Sequence, residues 1–373
     1  MRFSSGDNAI AADSLAAVFH AAGRPLELRR FALPELAAGE LLVRVTCATL
    51  CGSDLHTYQG RRPAPTPTVL GHEIIGRIEA LGPGEPVCDD RNKVLQIGQR
   101  VTWSIAASCG RCFFCQRDLP QKCERLFKYG HEAINERHPL SGGLAEFCHL
   151  APGTAIVSLP DQLPDLVACP VNCATATVTA ALRVGGGCRD QTVLIQGAGM
   201  LGLAACALAQ GGGASRVIVC DVDENRLAPA KRFGAHRCVC VARNTEALGT
   251  TVKEITNGRG VDLAIELSGS AGAIEAGLPL LRIGGRYVLV GAVFPGPPVS
   301  LSAEQIVRGC LSIHGVHNYA PQDLSRAVAF LAENHRRYPF DELVTETFPL
   351  AEAERAFQYA IETRPLRVAI VNG

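Results

Sequence analysis

Four cysteines, Cys109, Cys112, Cys115 and Cys123, fall within one short stretch, Cys-Gly-Arg-Cys-Phe-Phe-Cys-Gln-Arg-Asp-Leu-Pro-Gln-Lys-Cys. Their spacing brings four soft thiolates into a single loop, which is what a closed tetrahedral zinc site requires. A disulfide framework suits small secreted domains, and a chain of 373 residues does not need one. A site with four protein ligands has no open position for a substrate. Its expected role is to hold a lobe together.

A second constellation is Gly197-Ala198-Gly199-Met200-Leu201-Gly202, directly after the apolar run Val193 to Gln196 and opening a helical pattern. In that strand-turn-helix setting Gly197, Gly199 and Gly202 permit a tight turn. They also permit close approach of a pyrophosphate to the helix start at Met200 and Leu201. The next apolar run ends at Asp221, where an acid would bind the adenosine ribose hydroxyls and repel a 2′-phosphate. NAD is therefore expected over NADP, although Arg226 lies close enough in sequence to accept that phosphate. The plainer alternative for Asp221 is a solvated loop acid.

Cys51-Gly52-Ser53-Asp54-Leu55-His56 and Gly71-His72-Glu73 supply two further metal donors, Cys51 and His72. A catalytic zinc needs three protein ligands and one open position, so a third must come from elsewhere in the chain.

These residues need elements to position them. The first ~165 residues read as short strands and turns, with Leu41 to Thr46 as a half-buried strand and the proline-rich 61–68 as a loop. From about Asp165 helices and strands alternate. Helices are predicted at Thr175 to Val184 and Leu201 to Gln210, and strands at Val193 to Ile195, Val217 to Cys220, Leu263 to Leu267 and Tyr287 to Val290. This alternation predicts a doubly wound parallel sheet. After Gly315 come helices at Gln322 to Asn334 and Ala351 to Thr363, a strand at Leu343 to Phe348 and a closing strand Arg367 to Val371.

Lys plus Arg and Asp plus Glu each number 36, so no charge excess marks a nucleic-acid or acidic-membrane binder. No apolar stretch approaches the ~20 residues of a membrane helix, and the first residues lack the apolar core of a signal peptide. A cytoplasmic protein with reduced thiols is expected. Cys47, Cys88, Cys148, Cys188, Cys206, Cys220, Cys238, Cys240 and Cys310 are then read as small buried hydrophobes.

With Cys-Gly-Ser-Asp, Gly-His-Glu, the four-cysteine lobe and Gly-Ala-Gly-Met-Leu-Gly in this order, the chain resembles the zinc-dependent medium-chain alcohol dehydrogenase family over nearly its whole length. The resemblance implies an α/β protein in which residues 1–170 form a GroES-like β catalytic domain carrying the zinc lobe. It further implies a Rossmann NAD-binding domain at 171–314 and a return to the catalytic domain at 315–373. It implies two zinc ions, with Cys51, His72 and Cys173 on the catalytic one and Cys169 as the rival third ligand. Ser53 would accept a hydrogen bond from the alcohol and His56 would end a proton relay. Asp54 and Glu73 would orient ligands, and Thr177 would pack on the nicotinamide. Hydride would pass between a small-molecule alcohol or carbonyl and NAD, in a homodimer or homotetramer.

The stretches Trp103 to Ser108, Leu126 to Glu132, Asn172 to Thr177 and His317 to Pro321 resemble a subgroup labelled as phosphonate-catabolism-associated. Trp103, Ile105, Phe127, Phe294 and His317 are candidates to shape its pocket, and Lys128 with His131 is the candidate cationic patch. A polyol dehydrogenase of the same family and a non-catalytic zinc- and NAD-binding redox sensor are the competing readings.

Overall fold

In the computed structural model, which describes residues 12–244 and 246–372, strand Leu41–Thr49 organises one of two units. It pairs antiparallel with Glu73–Leu81 and with Arg367–Val371 in an eight-stranded sheet. Half-burial was the expectation for this strand, yet only Arg44 is exposed. The reason is that both faces are covered. Leu42 joins one apolar cluster with Phe147 and Phe357, while Leu41, Val43 and Val45 join another around Trp103 and Tyr129. Arg44 lies over the Phe147 ring and pairs with Glu79. A hairpin, Asp13–Phe19 with Glu27–Ala32, precedes this sheet. The unit comprises Met1–Phe113, Cys123–Leu159 and Glu346–Gly373.

The second unit, Phe114–Lys122 with Pro160–Thr345, contains the alternating region. Its parallel strands are β1 (Thr192–Gln196), β2 (Arg216–Asp221), β3 (Arg237–Cys240), β4 (Val261–Glu266), β5 (Leu281–Leu289) and β6 (Ser312–Gly315). Their order, 3-2-1-4-5-6, is the doubly wound Rossmann arrangement. Val193, Leu194 and Ile195 of β1 are wholly buried, as strands covered on both faces should be. Helices α1 (Ala174–Val184), α2 (Met200–Gly211) and α3 (Pro321–Asn334) belong to the same unit.

The unit is thus longer at both ends than the expected 171–314. Arg183 of α1 donates to both carboxylate oxygens of buried Asp323 at 2.7 and 2.8 Å. Asp323 also caps α3 by accepting from the Ala320 amide. This ion pair ties α3 to α1, so α3 sits with the nucleotide fold and not with a C-terminal return.

Among the nine cysteines read as buried, Cys47, Cys148, Cys188, Cys206 and Cys220 are buried, Cys238 and Cys240 are half-buried, and Cys88 and Cys310 are exposed. The half-buried pair lies on β3, the edge strand of its sheet. Cys310 occupies a left-handed turn, φ 49°, after the helix Ala303–Arg308. Among the described residues no single helix is long and apolar enough to cross a membrane.

Candidate active site

Strand register brings Cys51 and His72 together. Thr49 is paired with Glu73 and with Ala369. Cys51, just past the end of one strand, therefore faces His72, just before the start of the next. Their ligand atoms lie within 4.8 Å of each other. Cys51 caps the short helix Gly52–Tyr58, which presents Ser53 and His56.

Asp54 fixes this arrangement. One carboxylate oxygen accepts from the Cys51 amide at 2.9 Å, and the other lies 3.1 Å from His72 Nδ1. Both side chains of the His72–Asp54 pair are buried. A histidine that donates Nδ1–H to a carboxylate keeps its Nε2 lone pair for a metal. Ser53 Oγ lies 3.4 Å from that Nε2. Burial pulls the His72 pKa down, but Asp54 and then Cys51 outweigh it and push it up to about 10. Metal binding must therefore displace a proton here.

Glu73 accepts from Arg367 at 2.8 and 3.0 Å and from the Thr49 hydroxyl at 2.7 Å. Arg367 also reaches Cys51 Sγ at 3.6 Å. Sequence reading placed Arg367 in a closing strand and missed its role. The signal would have been a charged residue opening an otherwise apolar strand. A guanidinium beside the Cys51 sulfur favours the thiolate, the form that binds metal. These donors fit a zinc ion.

Cys109, Cys112 and Cys123 also bring their sulfur atoms within 4.8 Å of one another. Cys115 opens the tight turn Cys115–Arg117. The Cys123 sulfur accepts from the Cys109 and Arg125 amides at 3.2 and 3.3 Å. The Cys109 thiol is pushed down to about 6, mainly by the Arg111 amide. Thiolate-stabilising amides at Cys109 and Cys123 make this four-cysteine cluster a candidate structural zinc site.

At the dinucleotide turn each glycine has its own reason. Gly197 adopts φ +103°, and a Cβ on Gly202 would lie 1.9 Å from the Gly197 carbonyl oxygen. A Cβ on Gly199 would meet nothing within 4 Å, so no protein contact requires glycine there. Open space at the start of a twelve-residue helix with no side-chain cap is what a pyrophosphate would fill. Asp221 accepts from the Ala198 and Asp223 amides at 2.7 and 2.9 Å. Arg226 is exposed, 3.8 Å from Asp223.

Cys173 sits at the bend before α1, with φ −130° and ψ −73°, and is half-buried, whereas Cys169 is wholly buried. The Tyr319 hydroxyl donates to the Asn172 carbonyl beside this bend. Thr177 is one turn into α1, its amide bonded to the Cys173 carbonyl.

Trp103, a pocket candidate, is instead a wholly buried core residue edge-on to Tyr129. Phe127 packs on Tyr129 and His138. His131 is not the cation expected beside Lys128. Burial, His72, Lys128 and Arg62 hold its pKa well below the ordinary value.

Residues 37–161 match the alcohol dehydrogenase GroES-like domain, and residues 201–333 match the zinc-binding dehydrogenase domain. The chain is 33% identical to 5-exo-hydroxycamphor dehydrogenase of Pseudomonas putida over 86% of its own length and 89% of that protein. The chain belongs to the zinc-dependent medium-chain alcohol dehydrogenase family. D-arabitol-phosphate dehydrogenase of Enterococcus avium is 32% identical, with 91% of each chain covered. An alcohol dehydrogenase from Thermotoga maritima superposes with a TM-score of 0.91 at 28% identity, covering 97% of this chain and 100% of that one. The protein is accordingly a dehydrogenase with the family's GroES-like and Rossmann folds, its zinc and its nicotinamide cofactor. The fold class and enzyme class expected from sequence stand, as do zinc and a nicotinamide cofactor.

Proposed function

We propose that the protein oxidises the hydroxyl of a small alcohol to a carbonyl, or reduces the carbonyl, at a zinc held by Cys51, His72 and Cys173. The buried Cys51–His72 pair, with Asp54 on His72 Nδ1, is the observation that carries this reading. When bound, zinc lowers the pKa of an alcohol hydroxyl and stabilises the charge that develops on its oxygen, while NAD takes the hydride.

The chain's own residues do the rest. Ser53 would accept a hydrogen bond from the substrate hydroxyl and release its own proton as it takes that one up, and His56 would end the relay that carries the proton outward. Burial, then Arg61, lowers the His56 pKa, so its imidazole is neutral and able to accept near pH 7. Asp54 orients His72, and Glu73 acts on Cys51 through Arg367. Thr177 packs against the nicotinamide. Gly197, Gly199 and Gly202 with the Met200 and Leu201 amides hold the pyrophosphate. Cys109, Cys112, Cys115 and Cys123 hold a second, structural zinc.

NAD is the preferred cofactor because two amides aim the Asp221 carboxylate where a 2′-phosphate would meet it. Asp221→Ala should reduce the kcat/KM ratio of NAD over NADP by about tenfold, the scale of one charge-assisted hydrogen bond. A wild type that prefers NADP would transfer control to Arg226. One relative's name specifies a phosphorylated polyol, and a hydroxylated phosphonate is a substrate of similar charge. A cytoplasmic homodimer or homotetramer completes the proposal, supported by β6 lying at the edge of its sheet.

Purified protein mixed with NAD and an alcohol panel tests the reading. Chelator-sensitive NADH formation is expected. Its absence across the panel, with zinc and NAD both bound, would favour a redox sensor.

A further inference from the structure

The rim of the parallel sheet holds a buried acid that the reaction scheme does not use. Glu266 ends β4, the strand next to β1, and is wholly buried. Its Oε1 accepts from the Ser268 amide at 2.6 Å, the Ser268 hydroxyl at 2.7 Å and the Gly269 amide at 2.6 Å. Three donors on one oxygen offset much of the cost of burying a carboxylate. Its Oε2 is buried with no hydrogen-bond partner among the described residues. The carboxylate therefore spends its hydrogen bonds on one turn, residues 267–269.

That turn is fitted between two neighbours at backbone distance. On one side a Cβ on Gly197, the first glycine of the dinucleotide turn, would lie 3.2 Å from the Ser268 nitrogen. On the other, a Cβ on Gly291 would lie 2.3 Å from the Gly269 nitrogen. The Leu267 amide bonds the Gln196 carbonyl at 2.9 Å, and the Glu266 carbonyl accepts from the Val290 and Gly291 amides, both at 3.0 Å. The ends of β1, β4 and β5 thus form one continuous rim, on which Ser268 and Gly269 are exposed. The strand order 3-2-1-4-5-6 reverses between β1 and β4, and a dinucleotide lies in the crevice at such a switch point. Because each peptide is planar, amides that point at Glu266 turn the Leu267 and Ser268 carbonyls away from it. Those oxygens are acceptors, suited to the hydroxyl and amide groups of a dinucleotide and not to its phosphates.

We infer that Glu266 is a positioning residue for the nicotinamide cofactor, shaping the 267–269 turn into one wall of the dinucleotide crevice. The inference rests on the cofactor binding at the Gly197 to Gly202 turn, and it is independent of which alcohol is oxidised.

The test titrates NADH or NADPH, whichever the wild type binds more tightly, into zinc-loaded protein and follows the fluorescence of the bound cofactor. In Glu266→Leu the dissociation constant should rise about 10- to 100-fold, the range of a hydrogen bond to a charged group. Zinc content and circular dichroism should match wild type. Glu266→Gln keeps an acceptor oxygen for the same three donors and should bind within about threefold of wild type. A purely structural role would lower the melting temperature and leave the dissociation constant, measured well below the melt, unchanged.

An unchanged dissociation constant in folded Glu266→Leu would overturn the inference. So would equal losses in Glu266→Gln and Glu266→Leu, which would assign the effect to charge and not to the turn. If Glu266→Leu does not fold, Gly269→Ala displaces the same turn from outside. Gly269 has φ +73°, and its Cβ would lie 2.7 Å from the Gly291 carbonyl oxygen. Affinity lowered about tenfold there would uphold the inference, and unchanged affinity would overturn it. Gly199→Asp, a carboxylate added in open space at the start of α2, tests the cofactor reading separately. Binding lost in Gly199→Asp but kept in Glu266→Leu would overturn the inference alone. Binding kept in Gly199→Asp would overturn the cofactor reading with it.

Discussion

The cysteine lobe and the Cys51–His72 site use similar donors in opposite surroundings. In the lobe, none of the residues in the turns Cys115–Arg117 and Pro120–Lys122 is buried, and Phe113 and Leu119 are exposed. Little apolar surface is available to order it. Around Cys51, by contrast, Asp54, His72 and Glu73 are almost wholly buried and joined by hydrogen bonds to amides, a hydroxyl and Arg367. On the proposed assignment, a metal in the lobe would stand in for a missing core, so its affinity would be folding free energy. At the other site the fold already supplies the geometry, and a metal would add chemistry.

The largest expected effect lies in the lobe. Cys112→Ser should remove one zinc of two per chain and lower thermal stability sharply. Structural zinc is worth about 10 kcal/mol in small zinc peptides, and part of that is lost with the fourth ligand. Elemental analysis with a thermal melt checks this, and an unchanged zinc count would dissolve the contrast.

Next comes Arg367→Met, which strands Glu73 as a buried carboxylate without its ion pair. The expected cost is about 3–5 kcal/mol of stability, measured by denaturant unfolding. A change below about 1 kcal/mol would mean that the pair behaves like a surface contact. Smaller still is Asp54→Asn. It keeps the shape but weakens the orientation of His72, and zinc affinity at that site should fall about 10- to 100-fold. Competition with a chromophoric chelator reports it, and the lobe zinc should not respond.

Much of this contrast was legible in the sequence, because it depends on local spacing. The four cysteines lie in one loop, and the glycine turn lies between one strand and one helix. The alternation from Asp165 onward was enough to anticipate the doubly wound sheet. Long-range facts were not legible. Arg367 and Cys51 are 316 positions apart and meet only through the pairing of two strands with Leu41–Thr49. The Arg183–Asp323 pair likewise assigns α3 to the nucleotide unit through a contact that no periodicity reveals. Trp103 looked like a pocket residue because aromatic side chains suit both pockets and cores, and packing against Tyr129 decides between them. Cys88 and Cys310 show the same limit in reverse, since a thiol's burial follows from its neighbours.

If one metal serves folding and the other serves the reaction, one pair of variants separates the two roles. Zinc content, thermal stability and NADH formation should be measured together for Cys173→Ala and Cys169→Ala. Cys173→Ala should retain the lobe zinc, melt close to wild type, bind NAD and form no NADH. Cys169→Ala should keep both zincs and its activity at a cost of about 1 kcal/mol for one buried sulfur. Activity that survives in Cys173→Ala and vanishes in Cys169→Ala would contradict the assignment. So would a Cys173→Ala protein that unfolds as readily as Cys112→Ser.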